Sequence, residues 1–187
     1  MSFSMKKIVL VLILIQQFSF AQETETSSVE KSIFGIQTGF FGIWVHNESK
    51  MSNEISLRSE LGLDAGFVIN SYDNSTFLVP SIRVEPRWYY NLEKRVAKGK
   101  NIKNNSGNFL SLTTTYNPDW FVIPEKTNLN FIGSVSIIPK WAIKRTYRNH
   151  FTFETGVGIG YVFFTEDYLD SKGAVGVDLH LRLGYTF

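Results

Sequence analysis

The stretch Glu54-Ile55-Ser56-Leu57-Arg58-Ser59-Glu60-Leu61-Gly62-Leu63-Asp64-Ala65-Gly66-Phe67-Val68-Ile69 decides how this chain folds. One alternate set reads Ile55, Leu57, Ser59, Leu61, Leu63, Ala65, Phe67 and Ile69. The other holds the charges: Glu54, Ser56, Arg58, Glu60, Gly62, Asp64, Gly66 and Val68. Successive side chains of an extended strand point to opposite faces, so a period of two gives a β-strand with one apolar and one polar face.

The same period runs outward in both directions. At the C-terminus Val175, Val177, Leu179, Leu181, Leu183, Tyr185 and Phe187 oppose Gly176, Asp178, His180, Arg182, Gly184 and Thr186. Residues 150–164 and 76–91 repeat the scheme, and weaker strands fall near 34–45, 108–117 and 130–144. No amphipathic helix interrupts them. Seven strands leave the two ends of the chain on opposite sides of a sheet, and a closed single-chain barrel normally has an even number. Asp119-Trp120-Phe121-Val122-Ile123-Pro124, after the turn signal Asn117-Pro118, is the candidate eighth strand.

These strands are about 10 to 16 residues long, against about 5 or 6 for an ordinary strand and about 9 to 11 for a tilted membrane strand. The polar face collects Glu54, Arg58, Glu60, Asp64, Arg83, Glu85, Arg87, Lys140, Lys144, Glu154, Asp178 and Arg182, six acids and six bases. A balanced set can pair across neighbouring strands inside a barrel whose apolar face meets lipid. Aromatic residues gather near strand ends, at Trp44, Tyr72, Trp88-Tyr89-Tyr90, Tyr116, Trp120-Phe121, Trp141, Tyr147, Tyr161 and Tyr185, as interfacial girdles require. The expected fold is all-β: an antiparallel up-and-down transmembrane β-barrel of eight strands. The Ile55 face is expected to touch lipid and the Arg58 face to fill the interior. Residues 33–187 form this one domain.

The N-terminus has the layout of a cleaved signal peptide over 1–21. Lys6 and Lys7 precede the apolar run Ile8–Ile15, and Ser19 and Ala21 make a small-x-small cleavage site after Ala21. Cleavage removes two of the 19 basic residues and none of the 17 acids, so the mature charge is 17 − 17, or zero. A nucleic-acid partner is not expected of such a chain. There is no cysteine, hence no disulfide and no lipidated cysteine. Residues 22–32 are polar and aperiodic, and are expected to be a disordered periplasmic lead-in.

The closing stretch Leu179-His180-Leu181-Arg182-Leu183-Gly184-Tyr185-Thr186-Phe187 resembles the last strand of the small outer-membrane β-barrel family of Gram-negative bacteria. The Phe20-Ala21-Gln22 region looks like secretory signals of Bacteroidota, and 85–95 with 105–110 resembles small barrels of that group. The resemblance implies that Leu183, Tyr185 and Phe187 form a sorting signal read by the barrel-insertion machinery. It also implies that the end of the strand lies in the periplasm and that the protein resides in the outer membrane. It transfers no catalytic residue.

Candidate sites follow from the polar face. Arg58, Glu60, Asp64, Arg83, Glu85, Arg87, Glu154, Asp178, His180 and Arg182 form an interior set that is either an ion-paired plug or a charge-lined path. Eight strands leave an interior about filled by side chains, which favours the plug. Lys94, Arg95, Lys98, Lys100 and Lys103 make the connection 92–107 basic. With 46–53, 125–130 and 165–173 it is expected on the outer side, where it is either a solvated loop or a lipopolysaccharide contact. His46 and His150 fall in or beside turns. His180 beside Asp178 invites an acid–base reading, but no nucleophile is fixed beside it. Gly156-x-Gly158-x-Gly160 lies inside a strand and lacks the helix a phosphate loop needs. Three scattered histidines make no zinc site. No catalytic residue, metal or cofactor is expected. Outer-membrane lipids are the expected partners; the sequence names no small ligand. Three functions fit: a structural or surface-interaction barrel, a lipid-modifying barrel enzyme, and a soluble lipocalin-like carrier.

Overall fold

A computed structural model describes residues 27–69, 74–123, 131–168 and 171–187. The segment 1–21 read as a signal peptide, the first part of the expected lead-in, Tyr72, Pro124 and the expected loop 125–130 lie outside the described residues. Eight strands follow one another around a closed antiparallel ring: β1 Ser32–Gly39, β2 Gly42–Lys50, β3 Ile55–Ile69, β4 Asn74–Trp88, β5 Asn108–Asn117, β6 Ser134–Tyr147, β7 Phe151–Tyr168 and β8 Ser171–Thr186. Each strand pairs with the next, and β1 closes on β8 from Gly35↔Thr186 to Gly39↔Arg182.

The eighth strand is not where the turn signal at Asn117-Pro118 puts it. Described residues 119–123 make one isolated bridge, Leu78↔Ile123. Instead the stretch 34–45 breaks into a hairpin, with Phe40-Phe41 as a two-residue turn between paired Gly39 and Gly42. Two-residue turns suit the twist of a hairpin and commonly need positive φ. Gly42 has φ 140°, and a Cβ there would run into the Leu63 carbonyl. Strand β2 therefore continues through 46–50, which sequence placed in a loop, and His46 faces the interior from a strand.

This added hairpin reassigns the ends of the barrel. The entering segment 27–31, the connections 51–54, 89–107 and 148–150, and Phe187 share one end. The basic connection 92–107 thus accompanies both termini rather than lying opposite them. Residues 165–173 are largely the ends of β7 and β8.

Residues 27–31 are also not a free lead-in. Val29 packs with Tyr89, Leu92, Phe109 and Ala142 in a buried cluster, with Ile102 against it. Its backbone N–H donates to Asn53 O at 2.9 Å. Glu30 N–H donates to Asn105 Oδ1 at 2.7 Å, and Asn104 N–H returns a bond to Glu30 Oε1 at 2.6 Å. Helix α1, Leu92–Val96, and the 3₁₀ turn Lys103–Asn105 complete a cap over this end. Asn104 and Asn105 take φ 51° and 58°, a left-handed region that asparagine tolerates better than most residues. Asn104 Nδ2 reaches Asn149 O at 2.7 Å and Thr186 Oγ1 at 2.8 Å, which ties the cap across the mouth to the far wall.

Facing follows the alternation. Arg58, Glu60, Arg87 and Glu154 are buried inside the ring, while Leu61, Val157, Leu179 and Leu183 are more than half exposed outside. Of the expected girdle residues, Trp44 and Tyr89 turn inward and are buried; Trp88, Tyr90, Tyr116, Trp120, Phe121, Trp141, Tyr147, Tyr161 and Tyr185 are exposed.

Leu92 anchors the cap, so Leu92→Ala should open it. Truncating a buried leucine costs about 2–5 kcal/mol. Trypsin should cut the folded protein within Lys94–Lys103 several-fold faster than in the parent, with the barrel intact. An unchanged cutting rate would contradict the packing of α1 on Val29 and Phe109.

Candidate functional site in the charged interior

Inward positions recur at every second residue of each strand, so the ring brings side chains distant in sequence into one narrow space. Strand β2 supplies Trp44, His46 and Glu48; β3 supplies Arg58, Glu60 and Asp64; β4 supplies Arg83, Glu85 and Arg87. Strand β6 adds Lys140 and Lys144, β7 adds Glu154, and β8 adds Asp178, His180 and Arg182. The six carboxylates are Glu48, Glu60, Asp64, Glu85, Glu154 and Asp178; the six cations are Arg58, Arg83, Arg87, Lys140, Lys144 and Arg182.

Three carboxylates act as hubs. Glu154 accepts from Gln37 Nε2 at 2.8 Å, Arg58 Nη1 at 3.3 Å and Arg87 Nη2 at 3.2 Å, and contacts His180 Nε2 at 3.2 Å. Glu60 accepts from Arg58 Nε and Nη2 at 3.0 and 2.8 Å, from Arg182 Nη1 at 2.9 and 2.8 Å, and from Arg83 Nη1. Glu48 accepts from Ser56 Oγ at 2.7 Å, Tyr89 OH at 2.9 Å, Asn105 Nδ2 at 2.7 Å and Lys144 Nζ at 2.9 Å. Glu85 joins Arg87 at 2.9 Å to Lys140 at 3.1 Å, and Ser111 Oγ donates to it at 2.6 Å. A buried ion is tolerable only when partners replace the water it loses, and each of these carboxylates has several; Arg87 Nε and both His46 ring nitrogens are buried without a hydrogen-bond partner.

Glycine sets where bulk fits. Gly62 leaves room for the Trp44 indole, whose Nε1 donates to Asp64 at 2.6 Å. The Arg182 guanidinium lies 3.7 Å from the centroid of the same ring. Gly156 and Gly158 face Ala142 and Lys140 across the β6–β7 ladder, which makes space for inward side chains.

The two halves of the lumen differ. Toward the cap, Tyr89, Phe109 and the Glu48 cluster fill it. Toward the other end a cavity of about 410 Å³ remains, lined in part by Trp44, Asp64, Arg83, Asp178, His180 and Arg182. The layer of Arg58, Glu60 and Glu154 lies between that cavity and the cap.

All ten interior residues expected from sequence enter this one network. Glu48 was missed, because 46–53 read as a loop. Glu54 was wrongly counted inside: it is exposed in the turn before β3 and accepts from Trp88 Nε1 at 3.0 Å. The signal for Glu48 was Gly39-x-x-Gly42, after which Trp44, His46 and Glu48 fall on one face. The C-terminal set Leu183, Tyr185 and Phe187 points outward, with Tyr185 stacked on His150 and edge-on to Phe151 and Phe187. In the basic connection, Lys94, Lys98, Lys100 and Lys103 are exposed, whereas Arg95 Nη2 donates to Asn101 O at 2.7 Å.

Compared with known proteins, the chain matches no family model, no curated protein and no solved structure.

Glu154→Leu removes the hub and leaves Arg58 and Arg87 short of counter-charge. Breaking a buried pair from one side typically costs about 3–5 kcal/mol. The urea midpoint of the folded barrel should fall accordingly. For the pair Glu48 and Lys144, the double substitution Glu48→Gln with Lys144→Met should cost less than the sum of the single ones. Additive losses in that cycle would show that the two charges are not coupled.

Proposed function

We propose that this chain is an outer-membrane β-barrel with a structural or surface-interaction role, exported through a cleaved signal peptide and plugged inside by ion pairs. The observation that carries the reading is the inversion of polarity. Twelve charges are enclosed, and the outer wall is a continuous band of Ile36, Val45, Leu61, Val84, Val157, Ile159, Val177, Leu179 and Leu181. Such a wall in water would expose apolar area far beyond the patches soluble monomers carry. In hydrocarbon it matches its solvent, and a closed ring leaves no backbone edge unpaired. Aromatic residues edge the band at both ends: Trp88, Tyr90, Trp141 and Tyr147 beside the cap, and Phe40, Phe41, Phe67, Trp120 and Phe163 opposite. Among the described residues no helix is long and apolar enough to cross a membrane, so strands would make the crossing.

The charged lumen argues against a lipocalin-like carrier, which needs an apolar interior for its ligand. With both termini periplasmic, the basic connection 92–107 faces the periplasm. In that orientation it does not meet lipopolysaccharide, the expected contact, which requires the outer side.

The reading is tested on envelope fractions run with and without boiling. A barrel protein should appear in the outer-membrane fraction and migrate differently when unheated. Recovery in the soluble periplasm without a shift would overturn the proposal. In a planar bilayer the plugged barrel should give no steady ohmic conductance, and a stable open channel would refute the plug.

A further inference from the structure

The cap presents a fixed basic surface at a membrane rim. Residues 89–107 hold five bases, Lys94, Arg95, Lys98, Lys100 and Lys103, against one acid, Glu93. Among the described residues the opposite end exposes Asp119 and Glu166 against Lys172, and Asp64 and Asp178 nearer the lumen are paired with Arg83 and Lys140. A loop that only needs to be solvated mixes both signs; here the signs are separated between the two ends.

The basic segment is also built rather than loose. Arg95 bonds back to Asn101 O, Ala97 N–H donates to Glu93 O at 2.9 Å, and Asn101 Nδ2 reaches Thr146 O at 3.3 Å. The four lysines carry no ion pair of their own among the described residues, and all are exposed. At the same end of the barrel stands the aromatic rim, with Trp141 Nε1 donating to Tyr90 OH at 2.8 Å. Indole and phenol rings of this kind sit at headgroup depth in a bilayer. Ammonium groups held next to that level meet lipid phosphates as point charges. Because the backbone of the segment is already held, binding has to order only the lysine side chains.

We propose that Lys94, Lys98, Lys100 and Lys103 bind the headgroups of anionic phospholipids in the leaflet at the end that carries the termini. This rests on the membrane reading, and in the orientation with periplasmic termini that leaflet is the inner one. The contact fixes which way the barrel sits and how deep.

The test uses the full mature chain folded in zwitterionic micelles, with acyl-labelled phosphatidylglycerol and phosphatidylcholine followed by anisotropy. The parent protein should bind phosphatidylglycerol at least tenfold more tightly than phosphatidylcholine, and 0.5 M salt should erase the preference, since the Debye length falls to roughly 4 Å. The variant K94Q/K98Q/K100Q/K103Q should lose the preference, while D119N/E166Q keeps it. Arg95 is left intact because it holds the cap together. Equal affinity for the two lipids would overturn the proposal, as would an unaffected quadruple variant. An equal loss in D119N/E166Q would also overturn it. Each protein is first checked for the heat-dependent band shift. A shift with no lipid preference refutes this inference alone, whereas no shift refutes the membrane reading and this inference with it.

Discussion

Glu154, on β7, is bound by Gln37 of β1, Arg58 of β3, Arg87 of β4 and His180 of β8. One carboxylate therefore ties five strands across the lumen. Backbone ladders hold each strand only to its neighbours; these contacts hold opposite walls together. They also restrict what the sequence can be. A carboxylate taken out of water without partners costs several kcal/mol, so every acid on the inner face needs a cation from another strand at the same height. The six-to-six balance is the result, and it would fail if the register of any strand slipped by one residue, because a slip turns every charge outward.

Much of this was legible in the sequence because period two is a local property. Arg58, Glu60, Arg83, Glu85 and Arg87 could be assigned a common face from their spacing alone, and β3, β7 and β8 are long enough to make that spacing unambiguous. The first hairpin was hidden for a physical reason. Its turn is Phe40-Phe41, two large apolar residues where turn chemistry usually supplies Asn, Asp or Pro. Both side chains are exposed at the rim beside an apolar band, so nothing demands that they be polar. The flanking glycines, one with φ 140°, carry the turn. The charge balance survived the error because Glu48, missed inside, replaced Glu54, wrongly counted there.

The cap was illegible for a different reason. Between 27 and 31 only Val29 is apolar, and one apolar residue has no period. Its burial depends on Tyr89, Leu92, Phe109 and Ala142, which the fold assembles from three separate places in the chain. Asn104 and Asn105 read as turn residues and are that, but Asn105 Nδ2 also supplies a donor to the Glu48 hub. The charge network and the cap are thus one structure: Glu48 accepts from the wall residues Ser56 and Lys144 and from the cap residue Asn105.

That continuity bears on where activity can reside. The Arg58, Glu60 and Glu154 layer crosses the lumen between the 410 Å³ cavity and the cap. Opening a path through it would require several hubs to lose partners together, since Glu60 and Glu154 share Arg58. The interior charges are engaged with one another, and the outer wall is largely apolar. What remains is the two rims, and among the described residues they differ in charge. In the proposed membrane setting the barrel is best understood as a fixed post whose capped end presents a basic surface that the described residues of the other end do not match.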